Sequence, residues 1–299
     1  MQVPIRIPKV KHFPVLFTPV LFTALFLLTA PGLFSMDWPS PSGIMTRNFG
    51  WNDGGVPHLG VSFADNGVVM AAEAGELLHK RRNGDTASRL PSPLGAWVAL
   101  DHGDGLISIY SRFDNNSILP VPNQVEKGTP LGQSGISGWS SQNGFHFQFF
   151  DRIERRWVNP SVIIRSMNPR LPTIVQVSLR DTHGTVFNLA QTGSLSQGRY
   201  TVLVNAITGN PNAPLAPFRI ISTLNGSEAG ALNFETYFVR DGSLVVYRNG
   251  LIPVRRVHAP VPGFEVADVW LTRGQATLEI IAQDISGSTR NVVHRFMVE

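Results

Sequence analysis

The 299-residue chain contains no cysteine. That excludes a disulfide framework, a thiolate metal site and a lipid-attachment cysteine behind a leader, and it leaves the redox compartment open. Charge is sparse as well: 15% of residues are Asp, Glu, Lys or Arg, and the formal net charge is +4. Even that excess is local. Arg6, Lys9 and Lys11 precede residue 36 with no acidic residue among them, and without them 22 basic side chains face 21 acidic ones. A balance near +1 is no nucleic-acid footprint, so nucleic acid is excluded as an expected partner. Long segments with one helical period are also missing after residue 44. Instead 28 Gly and 22 Pro cut the chain into short pieces, which suits a turn-rich β protein because both residues end strands and break helices. The length allows two modest domains, each with a real core.

The N-terminal segment is ordered by charge and hydropathy. Basic residues occupy positions 1–12, an uncharged apolar run fills 15–30, and Pro31-Gly32-Leu33-Phe34-Ser35 follows. This order reads as a secretory signal. The run is shorter than the ~20 residues of a spanning helix, and Pro14 and Pro19 interrupt its start, but it lacks a small-x-small cleavage triplet. Residues 1–35 are therefore expected to be a signal segment or an uncleaved N-terminal anchor, and membrane contact is expected only through them.

From 44 to 164 the sequence reads as short strands at 67–70, 76–79, 96–101, 106–110, 129–132 and 145–150, with Gly, Pro and Asn/Asp turns between. Lys80-Arg81-Arg82 reads as a solvated loop. In Phe145-His146-Phe147-Gln148-Phe149 a strand places His146 and Gln148 on one face and the three phenylalanines on the other. His58 and Ser62 share a face if their segment is extended, and Tyr110 and Arg112 form a third pair two residues apart.

These three segments, in this order, resemble the lysostaphin/LytM-type zinc metallopeptidases, which cut peptidoglycan cross-bridges. That family carries a His-x-x-x-Asp, a Tyr-x-His and a terminal His-x-His segment, and here they read His58 with Ser62, Tyr110 with Arg112, and His146 with Gln148. Framework stretches at 67–77, 94–105, 125–132 and 135–140, closing with Trp157-Val158-Asn159-Pro160, extend the likeness over residues 45–165. The resemblance implies an antiparallel β-sheet domain. It also implies zinc ligands at His58 and at the positions now held by Ser62 and Gln148, with proton handling at His146 and at the position now held by Arg112. Each replacement runs against metal chemistry: Ser62 removes the only anionic ligand, Gln148 offers an amide where zinc prefers imidazole, and Arg112 stays protonated. His58 is thus expected to be a vestigial ligand and His146 a vestigial catalytic position, with no cofactor. A binding role is expected for Arg112, Tyr110, His146 and His58. His102 reads as a turn residue, Trp139 and Trp157 as packing groups, and Asp53 and Asp65 as the carboxylates nearest His58 in sequence.

Residues 166–172 read as a linker. Beyond it, runs at 173–179, 198–205, 218–223, 232–239, 243–248, 276–284 and 292–298, with Asp241-Gly242 and Asn249-Gly250 turns, predict an immunoglobulin-like β-sandwich over 173–299. His183, His258 and His294 are scattered singly there, without a catalytic constellation. The expectation is a mostly β, exported protein of the bacterial periplasm or cell envelope, with a LytM-like sheet domain followed by an Ig-like sandwich. Its peptidase domain would be a pseudoenzyme that binds peptidoglycan or regulates a cell-wall enzyme. Two other readings stay open: an active zinc metalloendopeptidase on peptidoglycan with an unconventional ligand set, and an adhesin-like protein acting through the sandwich.

Overall fold

Alternation in the phenylalanine-rich segment organises the first sheet. The computed structural model describes residues 36–82, 90–120, 122–164, 170–258 and 263–299, and in it Phe145–Asp151 is a central strand. One edge pairs antiparallel with Leu106–Phe113, which continues through Ala96–Asp101 and Gly75–Arg81 to Gln124–Val125. The other edge is shared, Val61–Ala64 pairing with its first half and Arg156–Val158 with its second. Phe145, Phe147 and Phe149 are buried in a core with Val61, Val98 and Leu100. Phe63 stacks on Phe145 at 4.9 Å between ring centroids, and Trp38 meets Phe63 edge-on at 5.6 Å.

Arg156–Val158 also carries the sheet into the downstream sequence. It pairs with Thr236–Arg240, which is followed in the sheet by Ser243–Tyr247 and Leu251–Pro253. The Thr236–Arg240 hairpin closes through Asp241 and Gly242 with φ of 48° and 70°, the left-handed pair that a two-residue turn needs to match strand twist. Phe49, from upstream, is buried with Phe234 and Tyr237 and lies 4.9 Å from the Tyr237 ring.

The rest of the downstream sequence forms two further sheets. One runs Val186–Asn188, Pro172–Asp181, Gly198–Thr208, Phe264–Leu271; the other runs Ser194–Leu195, Thr289–Val298, Gly274–Gln283, Arg219–Leu224, Ser227–Asn233. Every second residue of Gly274–Gln283 from Ala276 to Ala282 is buried, and these meet Val177, Leu179, Val202, Val204 and Val266 of the first sheet in one core. Two sheets closing over alternating apolar residues make a β-sandwich, an arrangement that fits the immunoglobulin-like expectation.

Several local readings differ from the structure, among them the following. The run 232–239 is two strands, Ser227–Asn233 and Thr236–Arg240, because Phe234 turns fully into the core between them. Lys80 and Arg81 belong to a strand rather than a loop, paired with Val98 and Trp97. Phe264–Leu271 is a strand that none of the expected runs covers. The expected signal segment, 1–35, and positions 166–169 of the expected linker lie outside the described residues. Among the described residues no helix is long and apolar enough to cross a membrane; the α-helix Pro160–Ile163 has four residues.

Candidate functional site

The central strand presents His146 and Gln148 on the face opposite its phenylalanines, and the segment before Val61–Ala64 packs directly against them. Gly60 makes that approach possible: a Cβ there would lie 2.3 Å from the Phe147 carbonyl oxygen and 2.9 Å from the His146 ring. With the chain so close, His58, Ser62, His146 and Gln148 join in one hydrogen-bonded path. The links are Ser62 Oγ to His58 Nε2 and to His146 Nδ1, both 3.1 Å, and His146 Nε2 to Gln148 Oε1 at 2.7 Å. Arg112 Nη1 donates to Ser62 Oγ at 3.3 Å.

The protons of this path are mutually determined. With the Gln148 carbonyl oxygen facing it, His146 carries its hydrogen on Nε2, so its Nδ1 accepts from the Ser62 hydroxyl. The serine oxygen then accepts from Arg112 and from His58 Nε2–H. Such a chain requires a neutral His146, and the surroundings favour the neutral form of both imidazoles. Burial, then the Arg112 charge, push His146 down to about 4. Burial and then His146 and Arg112 hold His58 well below the usual histidine range.

Arg112 reaches the path through a local irregularity. The pairing of Leu106–Phe113 with Ala96–Asp101 shifts between Trp97↔Ser111 and Ala96↔Phe113, leaving Arg112 as the extra residue of a bulge with φ of 70°. A side chain in left-handed backbone costs roughly 1–2 kcal/mol, and both peptide groups of Arg112 are held. Its N–H donates to Leu94 O and its carbonyl accepts from Gly135 N, each at 2.9 Å. The bulge corrects the expected pairing of Tyr110 with Arg112. Tyr110 and Phe113, three residues apart, are both fully buried in the core, and the Tyr110 hydroxyl accepts from Ala72 N at 2.9 Å. Desolvation pushes that phenol up to about 12. Tyr110 supports the sheet from behind and does not face the cluster.

Beside Ser62 and Arg112 opens a cleft of about 400 Å³, lined also by Arg47, Trp51, Trp139 and residues 140–143. Part of its wall, residues 212–214, comes from the downstream sequence. Asn48 fixes that wall: its side-chain amide donates to Ala216 O and accepts from Ala216 N, both at 2.8 Å.

A family model described as "Peptidase family M23" matches residues 56–160, a stretch containing all six candidate site positions. Residues 56–160 are a peptidase family M23 domain. A separate family model matches residues 171–299. Among solved structures, the catalytic domain of the prophage-encoded M23 protein EnpA from Enterococcus faecalis is 23% identical over 40% of this chain and 89% of that one, with a TM-score of 0.34. The catalytic domain of lysostaphin from Staphylococcus simulans is 22% identical over 40% and 82%, with a TM-score of 0.28. A chain of the SpoIIQ–SpoIIIAH pore-forming complex is 18% identical over 44% and 92%, with a TM-score of 0.35. No curated protein sequence matches the chain.

Within the M23 domain the structure brings His58, Ser62, Arg112, His146 and Gln148 together and sends Tyr110 to the core. Neither neighbouring carboxylate enters the cluster. Asp53 pairs with Arg47 at 3.4 Å, and Asp65 accepts from the Ser40 hydroxyl and from Gly67 N. Among the described residues no three His, Cys, Asp or Glu side chains gather as a metal site would require. His102 bridges Ala74 O and Ser108 Oγ at 2.7 Å each. Trp157 packs as expected, tilted on Phe150 at 4.8 Å, whereas Trp139 is 80% exposed on the cleft rim. Sequence reasoning missed Arg47, Trp51, Gly60 and residues 212–214. Only Gly60 carried a local signal, a glycine directly before the strand that bears Ser62.

Proposed function

We propose that this chain is an exported cell-envelope protein whose M23 domain binds peptidoglycan, or a protein that works on it, without cutting it. One observation carries the reading: Ser62 Oγ stands where three nitrogens, from His58, His146 and Arg112, converge on it within 3.3 Å. A zinc site needs imidazole and carboxylate lone pairs aimed at one point, with room left for water. Here the nitrogens turn to a hydroxyl, the carboxylate is missing, Gln148 is engaged with His146, and a permanent cation sits at hydrogen-bond distance from the centre. The residues present do not fit zinc. What they do supply is a rigid, neutral polar floor beneath a cleft that carries positive charge.

The test joins metal analysis to a wall assay on the purified chain. The expected result is no stoichiometric zinc, co-sedimentation with isolated peptidoglycan and no release of soluble fragments. One zinc per chain, with turnover abolished by His58→Ala, would establish the active endopeptidase instead. Replacing Ser62→Asp, Arg112→His and Gln148→His together is expected to confer zinc binding. For export, the expected result is recovery of the chain in the cell-envelope fraction.

A further inference from the structure

The M23 cleft is chemically one-sided. Its lining includes two charged residues, Arg47 and Arg112, and no acid. Among the described residues Arg112 makes no ion pair. Among the described residues its one side-chain hydrogen bond is the 3.3 Å contact to Ser62, which leaves most of the five guanidinium donors uncommitted there. The Asp114 carboxylate, its nearest acid in sequence, caps the Asn116 N–H instead. Arg47 has a partner, Asp53 at 3.4 Å, but both side chains are about half exposed, and such surface pairs are weak and easily rearranged. Burial and then the Arg47 charge lower the Arg112 pKa from its ordinary value, while the Asp53 carboxylate acts the other way, so the two cations feel each other with Asp53 only partly offsetting them. An anion placed between them relieves that repulsion.

Shape narrows the anion further. A volume of about 400 Å³ is within the ~300–1,000 Å³ of small-ligand sites, enough for a short peptide end but not a long chain. Residues 212–214 and the exposed indole of Trp139 belong to the same lining. A cationic cleft of this size suits the end of a peptide, where the carboxylate is, rather than its interior. We propose that the cleft captures the free carboxyl terminus of a short peptide, with Arg112 presenting its planar fork to the carboxylate, Arg47 adding charge, and Trp139 covering the residue before it. This rests on the reading that the domain binds without cutting.

The experiment titrates the full chain with acetyl-alanyl-alanine, in L,L and D,D forms, and with the matching carboxamides, followed by calorimetry. Free acids are expected to bind, and the amides about ten- to a hundredfold more weakly, the ratio a lost charge-assisted contact produces. Arg112→Gly should weaken acid binding by a similar factor. Because glycine suits the left-handed backbone at this position, the variant should melt no lower than wild type, which separates lost binding from lost folding. Arg112→Lys keeps the charge without the fork and should fall between. Equal binding of acid and amide, no binding of either, or an acid affinity unchanged in Arg112→Gly would overturn the proposal, as would tighter binding of inorganic phosphate than of the acids. Sedimentation with peptidoglycan is run alongside. Wall binding with no acid preference sinks the terminus and keeps the binding module; acid preference without wall binding does the reverse.

Discussion

His146 and His258 sit in different halves of the molecule, yet burial drives both imidazoles down to about 4. Around His258 the environment is closed. The Tyr237 hydroxyl and the imidazole Nε2 are hydrogen-bonded at 2.8 Å, and Phe234 and Phe264 cover the ring at 5.8 and 5.5 Å. His146 has equally little solvent but stands in a polar path that runs through Ser62 to Arg112 and out to the cleft. A shifted pKa therefore reports burial in both places and a site in only one. What distinguishes the site is connection: a chain of hydrogen bonds that ends at an accessible surface.

Acid should break the two regions alike, and with the largest effect. Each histidine is neutral when folded down to about pH 4 and titrates near 6.5 when unfolded, so between those values the unfolded state holds more protons and stability falls as pH falls. Each should cost about 3 kcal/mol across that window, together about 6. Urea unfolding at pH 7, 5 and 4 would show it, and His146→Gln and His258→Gln should each remove about one proton from the slope; a slope unchanged by both would refute the assignment.

The next effect should separate the regions. Tyr237→Ala empties the closed one and is expected to cost about 3–5 kcal/mol. Because Thr236–Arg240 is hydrogen-bonded to Arg156–Val158 and Phe49 packs on Tyr237, the loss should be felt by the M23 domain too, as one shifted unfolding transition seen by both tryptophan fluorescence and circular dichroism. Ser62→Ala strikes the open region and should cost less, about 1–3 kcal/mol, through three nitrogens left without their shared oxygen. Smallest is Trp139→Ala: stability should stay within about 0.5 kcal/mol, since the ring is exposed, while peptidoglycan sedimentation weakens.

Much of the first sheet was legible because its signals are local. Ala96–Asp101 begins and ends where its apolar pattern and flanking turns place it, and the alternation of 145–149 sorts core from site without any partner strand. The Phe264–Leu271 strand also carried a local signal, an aromatic and β-branched run between two glycines. Tyr110 was misplaced for a different reason. Period-2 reasoning assumes an unbroken ladder, and the bulge at Arg112 adds a residue between Tyr110 and the cleft. Nothing in Tyr110-Ser111-Arg112 announces a left-handed arginine, because the hydrogen bonds that hold it come from Leu94 and Gly135.

The residues alone determined that the chain is β-rich and lacks cysteine chemistry, and that a serine, an arginine and a glutamine stand at positions to which the family resemblance gives zinc-binding or proton-handling roles. Those are statements about composition, period, residue type and motif resemblance, which need no knowledge of what lies across the sheet. Tertiary structure decided the rest. It closed His58, Ser62, His146 and Gln148 into one neutral path, brought Arg47 to the same cleft as Arg112 from 65 positions away, and supplied a wall from residues 212–214. Each depends on contacts between segments distant in sequence, fixed by which strands pair and where a ladder slips, and pairing is a property of the whole fold.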